Sequence, residues 1–232
     1  MPSMVLREAP RRLRIVQPTE SLDRLATVVI AEVEKPEIRH KVKERIREFQ
    51  AVQDEGDERW FEELVFCLLT ANYSARGALS CIAALSNGDV ISEGSLDQLK
   101  MCLEHRHRFP SKRAEFIYKA REHFSDLKKI IISQPSSRVA RDWLVENITG
   151  LGMKEASHFL RNVGYLDLAI IDKHILTHML EQGIIEERPK TLTRKKYLEY
   201  EAILMQVAGK LDMPLGMMDL YLWAKKSGEV IK

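Results

Sequence analysis

Ile148 to Asp172 reads ITGLGMKEASHFLRNVGYLDLAIID, and its punctuation decides the fold. Gly150 and Gly152 stand in a G-x-G spacing, which lets a backbone turn sharply and approach a ligand closely. Lys154 follows at once. Ala156, Phe159, Leu160 and Val163 then recur at helical spacing, so an amphipathic helix runs on from the hairpin until Gly164 ends it. An apolar run delivers Asp172 to the start of KHILTHMLEQG, where Ile175, Leu176, Met179 and Leu180 mark another helix. Upstream, Arg138 to Asn147 carries Val139, Trp143 and Leu144 at helical spacing, so two helices flank a hairpin at about residues 148–154. Amides at a helix start, with the positive end of its dipole, suit a phosphate.

Outward from this stretch the chain remains helical. Apolar spacing predicts helices over Ser21–Glu34, over Glu37–Val52 after Pro36, and over Asp57–Ala71, where WFEELVFCLL leaves little polar face. Asn72, Tyr73 and Ser74 are turn and capping types, and a new helix is expected near Ser74. Further helices are expected over Leu96–Leu103, from Pro110, over Tyr197–Leu211, and from Pro214 through Trp223. EHRHRFPSKR gathers His105, Arg106, His107, Arg108, Lys112 and Arg113 around Phe109, a pattern that fits a phosphate-facing segment. No run of alternating strands and no repeat is present, so the fold class is all-α. Residues 1–20 are expected to form a polar N-terminal extension, with Arg11, Arg12 and Arg14 in a loosely ordered arm.

The 232 residues suffice for one large domain or two small ones. A net charge of +2 gives no global basic signature, so binding to a polyanion would have to rest on local charge. Cys67, Cys81 and Cys102 have no C-x-x-C spacing, so neither a disulfide framework nor a metal site is expected. With no signal peptide and no long apolar run, an intracellular, soluble protein of the cytoplasm or nucleoid is expected.

GLGMKEASHFLRNVG followed by AIIDKHIL resembles the helix-hairpin-helix superfamily of DNA glycosylases. Within it the chain is similar to the second family of 8-oxoguanine DNA glycosylase/AP lyases, common in archaea. MDLYLWAKKSGEVIK resembles that family's C-terminal tail, which ends in a lysine. The resemblance covers about Leu64 to Lys232 and implies two helical subdomains with the active site between them. They would comprise residues 21–72 with 186–232, and residues 73–185. Some members of the superfamily carry a four-cysteine iron–sulfur cluster near the C-terminus; no cysteine follows Cys102, which excludes it. Met153 stands where relatives often have an aromatic.

The resemblance assigns Lys154 as nucleophile and Asp172, eighteen positions on, as its catalytic partner. Physically, a helix start disfavours an ammonium and partial burial disfavours it further, both of which help make a neutral amine. Asp172 is also a favoured helix cap, and a capping carboxylate stays ionised, able to stabilise positive charge at C1′. His158 and Arg161 are expected on the Lys154 face of the helix, opposite the buried face. His158 is expected to line the site or meet a phosphate. His174 matches a backbone-contacting position in relatives. Asn72 and Arg76 correspond to residues that fill the gap left by the extruded base or hold the orphaned cytosine. Trp223 is expected to stack on the flipped base and Lys232 to reach into its pocket. A terminal carboxylate there would accept the N7 hydrogen that 8-oxoguanine has and guanine lacks.

The resemblance thus implies a base-excision-repair enzyme that removes 8-oxoguanine and nicks the strand by β-elimination through a Lys154 Schiff base. Its partner would be damaged double-stranded DNA, with no membrane, acting as a monomer. No cofactor is needed, beyond a monovalent cation that the hairpin backbone carbonyls hold in relatives. Two rival readings are a related lyase for oxidised pyrimidines and a non-catalytic helix-hairpin-helix DNA-binding module, which needs the glycines but not Lys154 and Asp172.

Overall fold

A computed structural model describes residues 19–232, and these fold as helices joined by turns, with no strand among them. In chain order they are α1 (Thr19–Val33), α2 (Pro36–Ala51), α3 (Asp57–Thr70), α4 (Ala75–Ser86), α5 (Leu96–Leu103), α6 (Pro110–Ala120), α7 (Leu127–Ile132), α8 (Ser137–Asn147), α9 (Met153–Asn162), α10 (Lys173–Glu181), α11 (Arg194–Lys210) and α12 (Leu215–Ser227). The arginines expected in an N-terminal arm lie outside the described residues.

Local chemistry sets the helix starts. Pro36 opens α2 and Pro110 opens α6, where a missing N–H costs nothing. Ser74 caps α4 by accepting the Gly77 N–H, and Ser95 with Gln98 forms a reciprocal capping box on α5. α7 is the helix that sequence periodicity did not predict. Its LKKIII run has no amphipathic stripe: Leu127 and Ile131 are buried one turn apart, while Ile132 is exposed.

Buried apolar residues form two clusters. The first runs from Val52 to Leu168 and holds α3 to α9 around Trp60, Phe61 and Phe159. The second takes α1, α2 and α10 to α12, with Leu25, Met179, Tyr197 and Leu222 at its centre. Expected from sequence alongside the terminal helices, α3 packs in the first cluster, against α4 and α9. The chain crosses between clusters near Phe49–Val52 and again at Leu168–Ala169.

Buried ion pairs tie the two clusters together. Arg141 on α8 grips Glu201 on α11 with two bonds of 2.6 and 2.9 Å, and both side chains are almost fully buried. Glu201 also accepts the Ala169 N–H, and the Tyr197 hydroxyl donates to the Ala169 carbonyl at 2.7 Å. This network fixes the extended segment that carries the chain to Asp172. A two-bond carboxylate–guanidinium pair restricts geometry more than it adds stability, because both charges lose their water.

Candidate active site

The hairpin between α8 and α9 depends on one glycine more than the other. Gly150 has φ +99°, which side chains with a Cβ rarely adopt, and a Cβ there would sit 2.4 Å from the Phe116 ring. Gly152 is extended, with φ −101°, and serves as the N-cap of α9. The hairpin therefore needs one left-handed residue, whereas the G-x-G spacing had suggested two special positions.

α9, α10, α12 and the chain end enclose a cavity of about 200 Å³ lined by Lys154, His158, Asp172, Asp219, Trp223 and Lys232. His174 lies on the same wall as Trp223, its ring edge-on to the indole at 6.4 Å. Six of the residues singled out from sequence thus meet in one place. Lys154, in the first turn of α9, is partly exposed. The sequence weighed the helix start and burial as the influences on its amine. The structure adds a carboxylate: Glu155 Oε1 lies 3.1 Å from Lys154 Nζ. Asp172 instead caps α10. Its Oδ1 accepts the His174 and Ile175 N–H groups at 2.8 and 2.9 Å, as expected for an N-cap.

His158 and Arg161 line the cavity with Lys154, as their shared helix face predicts, but both are buried, so the expected contrast with a buried face is corrected. α9 is covered by α3, α8 and α2, so only its first turn reaches solvent. Among the described residues His158 Nε2 has no hydrogen-bond partner, and its ring stands edge-on to Phe66. Burial, with help from Arg161, Lys154 and Lys232, holds this imidazole well below its usual range, so it is neutral. A neutral imidazole beside the cavity is a hydrogen-bonding group for a ligand, not a phosphate clamp. Arg161 donates to Asp219 Oδ2 at 2.5 Å and lies over the Phe49 ring. Burial pushes the Asp219 carboxyl up to about 7, against the pull of Arg161.

Lys232 ends in the cavity wall with its Nζ 2.6 Å from Glu63 Oε1 and over the Phe66 ring. Glu63, Arg141, Glu201 and Asp219 are the site and core residues that sequence reading missed. A signal existed, since each is a charge in phase with the apolar stripe of its helix.

Asn72, Phe109, Lys112, Gly150 and Glu155 line a more open groove beside the hairpin. Asn72 is exposed and left-handed, with φ +58°. Arg76 lies in neither the cavity nor the groove and pairs with Glu229 of the chain end. The basic cluster divides. His107 and Arg113 are buried and bond the Leu69 and Ala71 carbonyls, holding the loop before α4, while Arg106, Arg108 and Lys112 stay exposed beside Phe109. In the hairpin, Ile148 and Gly152 carbonyls accept backbone bonds, whereas among the described residues none is formed to those of Thr149, Gly150 and Leu151. No cluster of side chains suited to a metal ion occurs among the described residues. No helix among them is long and apolar enough to cross a membrane.

Comparison with known proteins agrees with this arrangement. Residues 42–213 match the family model described as 8-oxoguanine DNA glycosylase. The 8-oxoguanine DNA glycosylase/AP lyase of Korarchaeum cryptofilum is 47% identical over 196 residues, covering 84% of this chain and 92% of that protein. The enzyme of the same name from Methanocaldococcus jannaschii is 44% identical over 204 residues, covering 88% and 97%. The M. jannaschii glycosylase/lyase in complex with a 15mer DNA containing 8-oxoguanine superposes with a TM-score of 0.85 at 42% identity, covering 90% of this chain and all of that one. The Thermotoga maritima 8-oxoguanine DNA glycosylase gives 0.84 at 39% identity, covering 91% and 100%. With a cavity that gathers a hairpin lysine, a capping aspartate and a C-terminal tryptophan and lysine, this chain belongs to the 8-oxoguanine DNA glycosylase family.

Proposed function

We propose that the protein removes 8-oxoguanine from double-stranded DNA and cleaves the resulting abasic site, with Lys154 as nucleophile. The observation that carries this reading is the meeting of Lys154 and Asp172, from separate helices, in a cavity that also holds Trp223 and Lys232. The damaged nucleotide leaves the stack, because its reacting atom is out of reach inside a duplex. The Lys154 amine attacks C1′ as the bond to the base nitrogen breaks, and the base leaves as a purine anion that takes up a proton. The Asp172 carboxylate, held by its cap at the start of α10, stabilises positive charge on the sugar. Ring opening gives a Schiff base, loss of a C2′ proton expels the 3′ phosphate, and water releases the lysine. Lys154 must leave Glu155 before it attacks.

The indole of Trp223 suits stacking on an extruded purine, and Lys232, which lines the same cavity, suits recognition of its edge. Asn72 and Gly150, in the adjoining groove, are the residues for the duplex and its backbone, with His174 at the cavity edge. Arg76 joins them after release from Glu229. The free hairpin carbonyls suit a monovalent cation that would brace the turn against a phosphate; no other cofactor is invoked. The two apolar clusters support a reading of two helical subdomains acting as one monomer, in a soluble intracellular protein.

Borohydride trapping tests the reading, on a duplex holding one 8-oxoguanine opposite cytosine. A covalent adduct with the wild type, lost in Lys154→Gln, is expected. A folded wild type that neither traps nor cleaves this duplex overturns it, and a panel with oxidised pyrimidines then tests the rival lyase.

A further inference from the structure

α3 buries a carboxylate. Glu63 follows Glu62, which reaches solvent, and precedes Leu64–Val65–Phe66, yet it is 1% exposed. An ionised carboxylate in such a position is costly unless it is paired and hydrogen-bonded. Glu63 has three partners from three parts of the chain: Arg59 Nη2 at 2.6 Å, Asn162 Nδ2 at 2.9 Å and Lys232 Nζ at 2.6 Å.

Lys232, the third partner, lies beyond the end of α12, outside any helix. Here its side chain is 12% exposed, with the ammonium also over the Phe66 ring at 4.8 Å. Glu63 lines a small cavity behind the active site and not the active-site cavity itself, whereas Lys232 lines both. Glu63 therefore holds the far end of the lysine, away from any substrate. A second contact, Arg76 with Glu229, holds the same tail three residues upstream.

We infer that Glu63 is a positioning residue for base selection: by drawing the Lys232 ammonium behind the cavity, it sets where the rest of Lys232 stands on the cavity wall. The inference rests on the proposed role of Lys232 in base recognition. A polar group reads a base edge only at hydrogen-bonding distance, and a shift of about 1 Å in a positioning group can cost about 100-fold in rate.

Single-turnover rates are measured on an 8-oxoguanine duplex and on a duplex with a preformed abasic site, for Glu63→Gln, Lys232→Met, a variant ending at Ile231, and Glu63→Gln in that shortened chain. The quantity read is the ratio of base excision to abasic-site cleavage. We expect Glu63→Gln to lower this ratio about 10- to 100-fold. Lys232→Met, which leaves the Arg59–Glu63 pair intact and so covers any misfolding of the buried variant, should lower it similarly. Glu63→Gln should change nothing further once Lys232 is absent. A shortened chain with an unchanged ratio overturns the role of Lys232 itself. A lowered ratio in the shortened chain, with Glu63→Gln and Lys232→Met both near wild type, overturns Glu63 alone. Equal loss on both substrates, or a further loss in the shortened chain, assigns Glu63 a merely structural part and also overturns the inference.

Discussion

Lys154 and Lys232 line the same cavity and are held in contrasting ways. Lys154 is paired with Glu155, its neighbour in the chain, and both side chains reach solvent. Lys232 is paired with a carboxylate 169 residues away that is sealed inside the protein. Exposed pairs are worth about 0–1 kcal/mol, whereas breaking a buried pair from one side costs about 3–5 kcal/mol. The hairpin wall of the cavity thus carries a group that can move, and the tail wall carries one that stays. A nucleophile must travel to the sugar; a group that recognises the base must not. In the proposed mechanism both duties fall to lysines, and the burial of the partner separates them.

Asp172 gives the largest break in this contrast, because it belongs to the hairpin side yet is fixed by its cap. Asn and Asp cap helices about equally well, so Asp172→Asn removes the charge and keeps the anchor. We expect base excision to fall about 10²- to 10³-fold, the scale for losing one preorganised charge-stabilising group. The melting temperature should hardly move. Asp172→Ala should lose the same activity and also about 1 kcal/mol of stability. Single-turnover kinetics with thermal melts of both variants decides this. An active Asp172→Asn would reduce Asp172 to a cap.

The buried histidines sharpen the contrast between cavity wall and core. Burial lowers the pKa of His107, His158 and His178 below 6.5. The unfolded chain takes up protons near 6.5 that the folded protein refuses, so stability is full above that pH and is lost as pH falls below it. The partners differ, however. His107 Nε2 meets the Leu69 carbonyl at 2.9 Å, while His158 Nε2 meets no partner among the described residues. Both His107→Leu and His158→Leu should flatten the acid loss between about pH 6.5 and 5. Only His107→Leu should also lower stability at pH 8, by about 1–3 kcal/mol, because a buried carbonyl is orphaned. Denaturant melts across that range test both variants. An unchanged acid slope in either would mean that its imidazole protonates freely in the fold.

Much of this was legible in the sequence, and for a physical reason. Helices announce themselves by apolar spacing and by caps, so Ser74 and Asp172 marked starts that the structure keeps. The six cavity residues were reachable because motif spacing and the family resemblance both pointed to them. What stayed hidden depends on which residues meet across the chain. Nothing in EELVF says that Glu63 will meet residue 232, or in HRHRF that His107 will hold a loop while Arg108 faces solvent. The short α7 escaped because three successive isoleucines have no helical period, and the Arg76–Glu229 pair escaped because it joins two distant segments. Periodicity reports which side of a helix is buried; it is silent on what buries it.

Glu155→Gln isolates the loose side of the contrast. The carboxylate touches Lys154 and also faces the groove that holds Asn72, Lys112 and Gly150, where a DNA phosphate would be an unwelcome neighbour for it. Since both side chains are hydrated, the pair should be worth at most about 1 kcal/mol, or roughly fivefold in rate. Borohydride trapping on a preformed abasic site should therefore change by no more than about fivefold in Glu155→Gln, and salt should reduce the difference further. A change of two orders of magnitude would put Glu155 inside the chemistry, as the group that takes or returns a proton at Lys154. The nucleophile would then be held as firmly as the reader, and the separation of duties between the two walls would fail at its hairpin end.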